Sequence, residues 1–348
     1  MKGKQGMVCM GLLLVLSSCH TGKQITASGL QRKDFQTEVN GQHTDLFTLS
    51  NKQGMEVCIT NYGARVVSIL VPDRNGKRED VVCGFSTITE YMEQRQNFGS
   101  TVGRYIGRIL NARFTLDGVE YKLVPNNGKS GHISHGGNPG FADRIWKVEQ
   151  ADTHRVRLSY LSPDGENGFP GNLKVTLVYS LGEDDNALDL TYEATTDAPT
   201  VLNLSHHSFF NISGNFTKSV EDQQLWVDAD RFTPYDDKKC VTGEYLQVAG
   251  TPLDFRMPHA IGECIDADHP QLKVVNGYDH TWELNTKGDD TRPAAWVYDP
   301  ASGRKMEIFT TEPGMQIYTG NGLKGKMTGK GGIAYPFRSA VCFETMHF

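Results

Sequence analysis

Short segments of alternating polar and apolar residues, divided by turn residues, constrain the fold of this 348-residue chain more than any other feature. The clearest case is residues 113–123, where Asp117-Gly118 stands between two such segments. An Asp-Gly pair in this setting is the strongest short signal for a β-hairpin. Similar segments recur along the chain, at 67–71, 80–85, 173–181, 187–195, 225–227, 296–298, 305–310 and 315–318. The pattern therefore predicts a chain built mainly from antiparallel strands.

The composition and the turn and capping residues extend this prediction to the whole chain. Glycine accounts for 37 of 348 residues, well above the usual share of about 7 %, which indicates many tight turns. Residues 87–96, whose threonines suit a cap, form the one segment typical of a helix. We therefore expect a single all-β domain over residues 35–348. The net charge of −6 argues against a nucleic-acid partner, which requires a basic surface.

The N-terminus has the pattern of a targeting segment. Two lysines precede an apolar run at 7–16 that is too short to span a bilayer. Leu-Ser-Ser-Cys at 16–19 then resembles a bacterial lipoprotein cleavage site, with Cys19 as the lipidated residue. We predict a signal peptide at 1–18, a lipidated flexible tether at 19–34, and an exported protein anchored on the periplasmic side or at the cell surface. An ordinary secretory signal with an incidental cysteine is the alternative.

The remaining cysteines point to packing rather than to chemistry. Five lie beyond the targeting segment, at Cys58, Cys83, Cys240, Cys264 and Cys342. They are odd in number, widely spaced and without a C-x-x-C pair, so neither a zinc site nor a disulfide framework is indicated. We expect most of them to be small buried side chains, and we expect no metal and no cofactor.

The richest functional signal is the run at 202–211, which is typical of a strand. Because successive side chains of a strand point to opposite faces, Asn203, Ser205 and His207 would share one polar face. His206 would face the other way. A row of polar groups that ends in a histidine is typical of the wall of a wet cleft, and the alternation favours His207 as its functional member.

A second signal is the carboxylate Glu344 in the apolar strand 339–345, where an ionisable side chain needs a compensating reason. Cys342 would share its face. A desolvated glutamate has a raised pKa and can act as a general base near neutral pH. An edge-strand or salt-bridged carboxylate explains the same pattern equally well.

Three further motifs carry polar groups, each with an ordinary structural explanation. His135 precedes two glycines, which let a backbone approach a ligand, but such a motif is also typical of a surface turn. Arg104 and Arg108 are four residues apart, on one face of a strand or helix, and could simply be solvated or salt-bridged. Asp279 beside His280 is also typical of a polar turn.

Taken together and in order, the motifs resemble those of the aldose 1-epimerase (mutarotase) family over residues 40–346. The matching segments are 103–109, 134–137, 203–211, 277–280, 311–321 and 343–345. The resemblance implies a large antiparallel β-sandwich of the galactose mutarotase-like type, with a sugar in an open cleft. It implies His207 as general acid, Glu344 as general base and His135 as an assisting group. The residues that would hold the sugar hydroxyls are Arg108, Asp279, Gln316 and Asn97.

These residue types suit the implied reaction, the interconversion of α and β anomers of free aldohexoses such as glucose and galactose. A base removes the proton of the anomeric hydroxyl while an acid protonates the ring oxygen, so that the ring opens and can close on the other face. This assignment requires His207 to start protonated and Glu344 to start ionised. We expect a monomer or weak dimer with a small sugar as its partner. The alternatives are a non-catalytic sugar-binding lipoprotein of the same fold and a hexose-6-phosphate 1-epimerase.

The chain departs from the family pattern in three places. Gly107 stands where the family usually has an asparagine, which removes one polar contact and could broaden or weaken sugar selection. His206 also replaces an asparagine, but it should face away from the cleft. The chain ends at Phe348, whereas family members usually continue for a few dozen residues. On that ground we expect a shortened C-terminus: either the sequence is truncated, or the strand of Glu344 lies at an open sheet edge with unpaired backbone groups.

Overall fold

The computed structural model describes residues 24–348, so the predicted signal peptide at 1–18 and the lipidation site Cys19 lie outside the described residues. Across residues 24–348, the helices are all too short or too polar to cross a membrane.

The described chain is mostly β-structure, which confirms the predicted fold class. Its strands are β1 Glu38–Val39, β2 Gln42–His43, β3 Leu46–Ser50, β4 Glu56–Thr60, β5 Arg65–Pro72, β6 Arg78–Asp80, β7 Ser100–Val102, β8 Arg108–Ile109, β9 Arg113–Leu116, β10 Val119–Lys122, β11 Ile133–Ser134, β12 Lys147–Ala151, β13 Arg155–Ser162, β14 Leu173–Leu181, β15 Leu188–Thr196, β16 Ser205–His207, β17 Phe209–Phe210, β18 Gln224–Val227, β19 Ala229–Thr233, β20 Leu246–Gln247, β21 His259–Ala260, β22 Asp279–Leu284, β23 Ala295–Tyr298, β24 Lys305–Ile308, β25 Gly314–Tyr318 and β26 Val341–Met346. The α-helices are α1 Ile88–Gln94 and α2 Pro270–Val275, and short 3₁₀ turns lie at Arg32–Phe35, Leu110–Ala112, Gly128–Ser130, Phe141–Asp143, Glu166–Gly168, Ile261–Glu263 and Lys330–Gly332.

Two pairs of sheets pack face to face. The four-stranded sheet β3-β4-β5-β6 packs against β12-β13-β14-β15, and their inner faces share one buried cluster that includes Val57, Val66 and Leu177. The six-stranded sheet β17-β26-β25-β22-β19-β20 shares a second cluster with the sheet β21-β18-β23-β24. Each sheet buries one apolar face in this way, which is the driving force for the sandwich.

A third buried cluster joins the two halves and supports the polar cleft above it. It contains Phe98, whose ring contacts those of Phe209 and Tyr335 edge to face at centroid distances of 4.8 and 5.5 Å. Cys342 of β26 belongs to the same cluster. The strands that carry the polar face of 203–207 and Glu344 are therefore packed next to this aromatic cluster.

Local sequence signals were accurate for hairpins and for the first helix. Asp117 and Gly118, at φ of 51° and 78°, connect β9 to β10 as predicted. Thr87 caps α1 with a capping box, in which its side chain accepts a hydrogen bond from the Glu90 amide. The prediction missed α2, although Pro270 at its first turn is a recognised start signal.

The folded domain begins earlier than the predicted boundary at residue 35. Residues 24–34 were expected to form part of a flexible tether, but in this segment Thr26 and Leu30 are buried. The amides of Ala27 and Ser28 donate hydrogen bonds to the Glu56 carboxylate on β4, at 2.7 and 3.2 Å. These contacts attach residues 24–34 to the first sheet.

The strand of Glu344 is not at an open edge, so that expectation is wrong. β26 pairs with β25 on one side over residues 342–346 and with β17 on the other, where Phe209 is opposite Cys342. His347 exchanges two hydrogen bonds with the side chain of Asn203, each 3.0 Å long. Both neighbours of the strand are therefore supplied by the chain itself.

Candidate active site

The predicted acid and base lie side by side on two different strands. His207 ends β16, where it is opposite Ser100 of β7, and Glu344 lies near the middle of β26. The Nε2 atom of His207 is 3.3 Å from the Oε1 atom of Glu344, and both side chains are buried. The ring of His207 stacks on Phe209 at a centroid distance of 5.0 Å, which fixes its orientation.

Burial dominates the electrostatics of this pair. It raises the pKa of Glu344 well above its usual value of 4.5, with a smaller increase from the nearby Asp279 carboxylate. It lowers the pKa of His207 well below 6.5, with a smaller decrease from His135. The environment thus favours a neutral histidine beside a protonated glutamate, which is the reverse of the expected starting arrangement. The physical reason is that a buried site disfavours both charges.

Both protonation arrangements contain one proton for the pair, so they differ only in where that proton resides. Within residues 24–348, the Nδ1 atom of His207 and the Oε2 atom of Glu344 are buried and without a hydrogen-bond partner. Buried polar atoms normally have partners. Two unpartnered atoms on adjacent acid and base side chains are therefore suited to binding the polar atoms of a ligand.

His135 joins this pair from a separate loop. Its ring meets that of His207 edge to face at a centroid distance of 5.5 Å. Burial, assisted by the charge of Arg108, lowers the pKa of His135 to about 4, so the ring is neutral at pH 7. Gly136 has a φ of 79°, and a Cβ atom there would be 1.9 Å from the Gly103 carbonyl oxygen. Only glycine allows the loop to approach that closely.

Two predicted sugar-binding residues, Arg108 and Gln316, line one cleft, and a third, Asp279, is hydrogen-bonded to Gln316. Gln316 on β25 is the register partner of Glu344 and also of Thr281 on β22. Its Nε2 atom donates a 2.7 Å hydrogen bond to the Oδ1 atom of Asp279. Arg108 lowers the pKa of Asp279, although burial has the larger effect and raises it. These groups form one hydrogen-bonded surface next to the acid–base pair.

Arg108 and Arg104 do not share a face, so that interpretation is wrong. Arg108 reaches the cleft, where its guanidinium donates to the Lys239 carbonyl at 3.1 Å. Arg104 is buried, and its guanidinium donates to the carbonyl oxygens of Ser162, Pro170 and others at 2.8 to 3.0 Å. Arg104 is therefore a structural residue, and Arg108 is available to a ligand.

The neighbouring positions separate in a similar way. Asp279 is hydrogen-bonded to the cleft residue Gln316, but His280 is fully buried in the core and contacts the ring of Phe232, so the two do not act together. His206 faces away from the cleft as predicted and contacts Ser208 Oγ at 2.6 Å. Asn97 lies at the turn before β7, where its carbonyl accepts hydrogen bonds from Ser100. Its place is beside the strand of His207.

Tyr235 is a cleft residue that sequence reasoning missed. Its hydroxyl donates to Gln316 Oε1 at 3.3 Å, and Thr281 contacts the same oxygen at 3.3 Å. Burial raises the pKa of Tyr235, so the phenol stays protonated and remains a donor. Tyr235 follows β19 in a segment without alternation, and no local pattern could have identified it.

One group of potential metal ligands occurs among residues 24–348. The ligand atoms of His207, Cys342 and Glu344 lie within 4.8 Å of one another, and all three residues are buried. Burial raises the pKa of Cys342 well above 9, which keeps it a thiol, whereas metals bind the thiolate. The described cysteines are all free. Four of the five are buried, as the sequence predicted for most of them.

The cleft extends outward from Arg108 and Gln316. It has a volume of about 270 Å³, and Gly107, at a φ of 77°, forms part of its wall without a side chain. Tyr235 and Thr281 line its inner part, and Tyr105, Lys239, Glu244 and Tyr245 line its outer part. The inner part of the cleft is therefore hydrogen-bonding and the mouth is partly aromatic, and Gln316 connects the cleft to the strand of Glu344 as its register partner.

Known proteins of one family are similar to this chain in sequence. A profile of the family described as Aldose 1-epimerase matches residues 45–348. A galactose mutarotase of Bos taurus is 40 % identical over 300 residues, which cover 86 % of this chain and 84 % of the relative. An aldose 1-epimerase of Escherichia coli is 36 % identical over 286 residues, which cover 82 % of this chain and 81 % of the relative.

Solved structures agree with the sequence comparison. The crystal structure of the GalM/aldose epimerase homologue from C. elegans matches with a TM-score of 0.79 and 30 % identity, covering 87 % of this chain and 89 % of that one. The galactose 1-epimerase from Lactobacillus acidophilus matches with a TM-score of 0.78 and 29 % identity, covering 89 % and 88 %.

Proposed function

The chain belongs to the aldose 1-epimerase family, and we propose from this that it interconverts the α and β anomers of free aldohexoses, glucose and galactose among them. It is an isomerase, in keeping with its relatives. The observation that carries the assignment of roles is the 3.3 Å contact between His207 and Glu344, next to the cleft residue Gln316. Glu344 is the general base and His207 the general acid.

The reaction requires two proton transfers in each direction. Ionised Glu344 removes the proton of the anomeric hydroxyl while protonated His207 gives a proton to the ring oxygen, and the hemiacetal bond breaks. The aldehyde end rotates. His207 then takes the proton back as the ring oxygen attacks the carbonyl carbon, and Glu344 returns a proton to the new anomeric hydroxyl. Atoms and protons balance over the cycle.

The reversed protonation that burial favours is compatible with this cycle. A neutral histidine beside a protonated glutamate is the arrangement that the pair reaches once the ring has opened. The direct contact allows the proton to pass from Glu344 to His207, which prepares the pair for a cyclic sugar. His135, neutral at pH 7, can hydrogen-bond to the sugar near the reacting end without adding a charge.

The cleft residues orient the sugar. Arg108 and Asp279 offer charge-assisted hydrogen bonds to hydroxyls, which are stronger and more directional than neutral ones. Gln316 is held by Asp279, Tyr235 and Thr281, so its amide is oriented before a ligand binds. Such preorganisation places the anomeric centre at the pair. A non-catalytic sugar-binding protein would not need an adjacent acid and base, which favours the enzyme.

The roles are tested by polarimetry or proton NMR on freshly dissolved α-galactose and α-glucose, with Glu344→Gln, His207→Asn and the wild type compared against buffer. We expect each variant to lose about 10²- to 10⁴-fold in kcat, the usual contribution of one general acid or base. Equal rates in the wild type and both variants would refute the residue roles. A wild type that binds galactose but matches the buffer rate would identify a binding protein. An arm with α-glucose 6-phosphate tests the phosphorylated alternative.

We further propose that the protein is exported and anchored through lipid on Cys19. The support is the sequence pattern alone, namely the lysines, the apolar run at 7–16 and Leu-Ser-Ser-Cys at 16–19. Metabolic labelling with a tritiated fatty acid in a bacterial host, followed by membrane fractionation, tests it. The wild type should carry label in the membrane fraction, and Cys19→Ala should not. Label in both would refute lipidation at this residue.

A further inference from the structure

Gly107 leaves part of the cleft wall without a side chain, immediately before Arg108. Its φ is 77°, in the left-handed region that asparagine tolerates better than most residues. A Cβ atom there would lie 3.4 Å from the end of the flexible Met346 side chain, which is an ordinary contact. The wall therefore has room for a polar group that residue 107 of this chain does not supply.

A tyrosine reaches the same cleft from another strand. Tyr235 follows β19 and lines the cleft together with Gly107 and Arg108. Its hydroxyl lies 3.3 Å from Gln316 Oε1, and Arg108 is close enough to act on it electrostatically. Tyr235 thus presents the polar atom of its side chain among the groups assigned to the sugar hydroxyls.

The contact of Tyr235 with Gln316 is long and shared. Two oxygens joined by a hydrogen bond are usually about 2.5 to 3.0 Å apart. The hydroxyls of Tyr235 and Thr281 both lie 3.3 Å from Gln316 Oε1, so two donors compete for one acceptor. Burial raises the pKa of Tyr235, with a smaller increase from Asp279, so its hydroxyl keeps the proton at pH 7. The hydroxyl can therefore donate to a closer oxygen of a ligand.

The backbone and ring of Tyr235 are fixed by their neighbours. The side chain of Gln271 in α2 accepts a hydrogen bond from the Tyr235 amide at 2.8 Å and donates one to its carbonyl at 2.9 Å. The Tyr235 ring contacts that of the buried His280 at a centroid distance of 5.3 Å. Little conformational entropy is lost when such a fixed side chain binds a ligand.

The strand order determines which part of the sugar faces Tyr235. β25 and β22 lie between β26, which carries Glu344, and β19, which ends two residues before Tyr235. His207 lies on the other side of β26, because β16 leads directly into β17, the opposite neighbour of β26. In the proposed mechanism the ring oxygen faces His207, and C6 is attached to the carbon next to that oxygen. The hydroxyls on C2, C3 and C4 are therefore directed toward Tyr235.

We propose that Tyr235 is a specificity-determining residue, whose hydroxyl donates a hydrogen bond to a ring hydroxyl of the aldose and replaces the polar contact that Gly107 cannot make. The substrate class is a free aldohexose that carries this hydroxyl on C2, C3 or C4. This inference rests on the proposed function, since it concerns the same site.

Tyr235→Phe removes the hydroxyl and keeps the ring. We expect KM for α-galactose to rise about five- to tenfold, the effect of losing one buried hydrogen bond. The contact is made to the bound sugar and to the transition state alike, so kcat should stay within about twofold. Tyr298→Phe is the matched control, because Tyr298 does not line the cleft, and it should leave both constants unchanged. An unchanged KM in Tyr235→Phe would overturn the proposal.

A set of deoxy sugars separates direct contact from an effect through Gln316. Proton NMR exchange at anomeric equilibrium gives KM of the wild type and Tyr235→Phe for 2-deoxy-, 3-deoxy-, 4-deoxy- and 6-deoxygalactose. For one of the first three sugars the two enzymes should have equal KM, because the partner hydroxyl is already missing. 6-Deoxygalactose should retain the full difference. A difference that persists with all of the first three sugars would overturn the direct contact.

The double variant Gly107→Asn, Tyr235→Phe tests whether one contact can replace the other. It should lower KM for α-galactose at least about threefold relative to Tyr235→Phe, because the amide restores a hydrogen bond. No gain would overturn the replacement. Failure of the wild type to accelerate any of these sugars would instead refute the proposed function. Thermal unfolding of each variant verifies that the comparison is made between folded proteins.

Discussion

Two arginines four residues apart illustrate how the surroundings of a single position determine the role of its side chain. Arg104 is surrounded by carbonyl oxygens in the interior, whereas Arg108 points into the cleft. Identical side chains therefore have different functions because of what surrounds them. The sequence motif alone treats them as equivalent.

The two positions should respond differently to the same substitution. Arg104→Met leaves several buried carbonyls without a donor and should lower the free energy of unfolding by about 3 kcal/mol or more. Arg108→Met should change stability by less than about 1 kcal/mol. It should raise KM for galactose at least about tenfold through the lost charge-assisted hydrogen bond. Urea unfolding and steady-state kinetics measure the two effects, and a reversed pattern would contradict the assignment.

In the proposed mechanism, Asp279 should affect catalysis through its charge as well as through contact with the sugar. Its carboxylate raises the pKa of Glu344, so Asp279→Asn should lower that pKa. The active pair holds one proton, and activity is lost when the pair gains a second proton or loses its last one. Both limbs of the pH profile of kcat/KM should therefore move to lower pH, together with a higher KM. Asp289→Asn, an exposed carboxylate outside the cleft, is the control, and an unmoved profile would count against the coupling.

At the scale of elements, the site depends on how strands and loops meet. The hairpin at Asp117-Gly118 and the capped helix α1 were predictable because their signals are local. The contact of β26 with β17 joins residues more than 130 positions apart, and no local pattern encodes it. The functional pairing of His207 with Glu344 came from the family resemblance, and Tyr235, in a segment without a motif, was missed. The sequence thus predicted the elements and motifs better than it predicted which of them lie next to one another in the fold.

The close approach of the loop that carries His135 to the backbone of Gly103 can be tested by substitution. Gly136→Ala would place a methyl group 1.9 Å from the Gly103 carbonyl oxygen, so the loop must shift and displace His135. We expect kcat/KM to fall about 10²-fold, the usual effect of an error of about 1 Å near the reacting groups. Gly131→Ala has a similar positive φ, 70°, but open space around it, and should cost only about 1 kcal/mol of stability. Equal kinetic effects of the two substitutions would exclude the steric explanation.

At the scale of the whole molecule, buried neutral histidines make stability dependent on pH. Burial lowers the pKa of His280 to about 3 and that of His206 to about 4. In the unfolded chain both would titrate near 6.5. Between these values the unfolded state binds more protons than the folded state, so acid favours unfolding. The protein should therefore lose stability progressively as the pH falls below 6.5.

His280 is the best single contributor to examine, because it is fully buried and outside the cleft. It should steepen the dependence by up to about 1.4 kcal/mol per pH unit between pH 6 and 4. Urea unfolding of His280→Asn over this range should show a slope that is smaller by that amount, whatever its overall loss of stability. His43→Asn, with a side chain 76 % exposed, serves as the control. An unchanged slope for His280→Asn would show that the residue is not held neutral.

The 3.3 Å contact between His207 and Glu344 also has a consequence for the proton inventory of the cycle. In the proposed cycle, ring opening moves the pair from one protonation arrangement to the other and ring closure moves it back, so a turnover takes no proton from bulk water. Because the two groups touch, the free enzyme can also interchange the arrangements internally. The catalyst can then accept either a closed ring or an open aldehyde as its first ligand. A reversible reaction is therefore suited to a site that can start from either protonation arrangement.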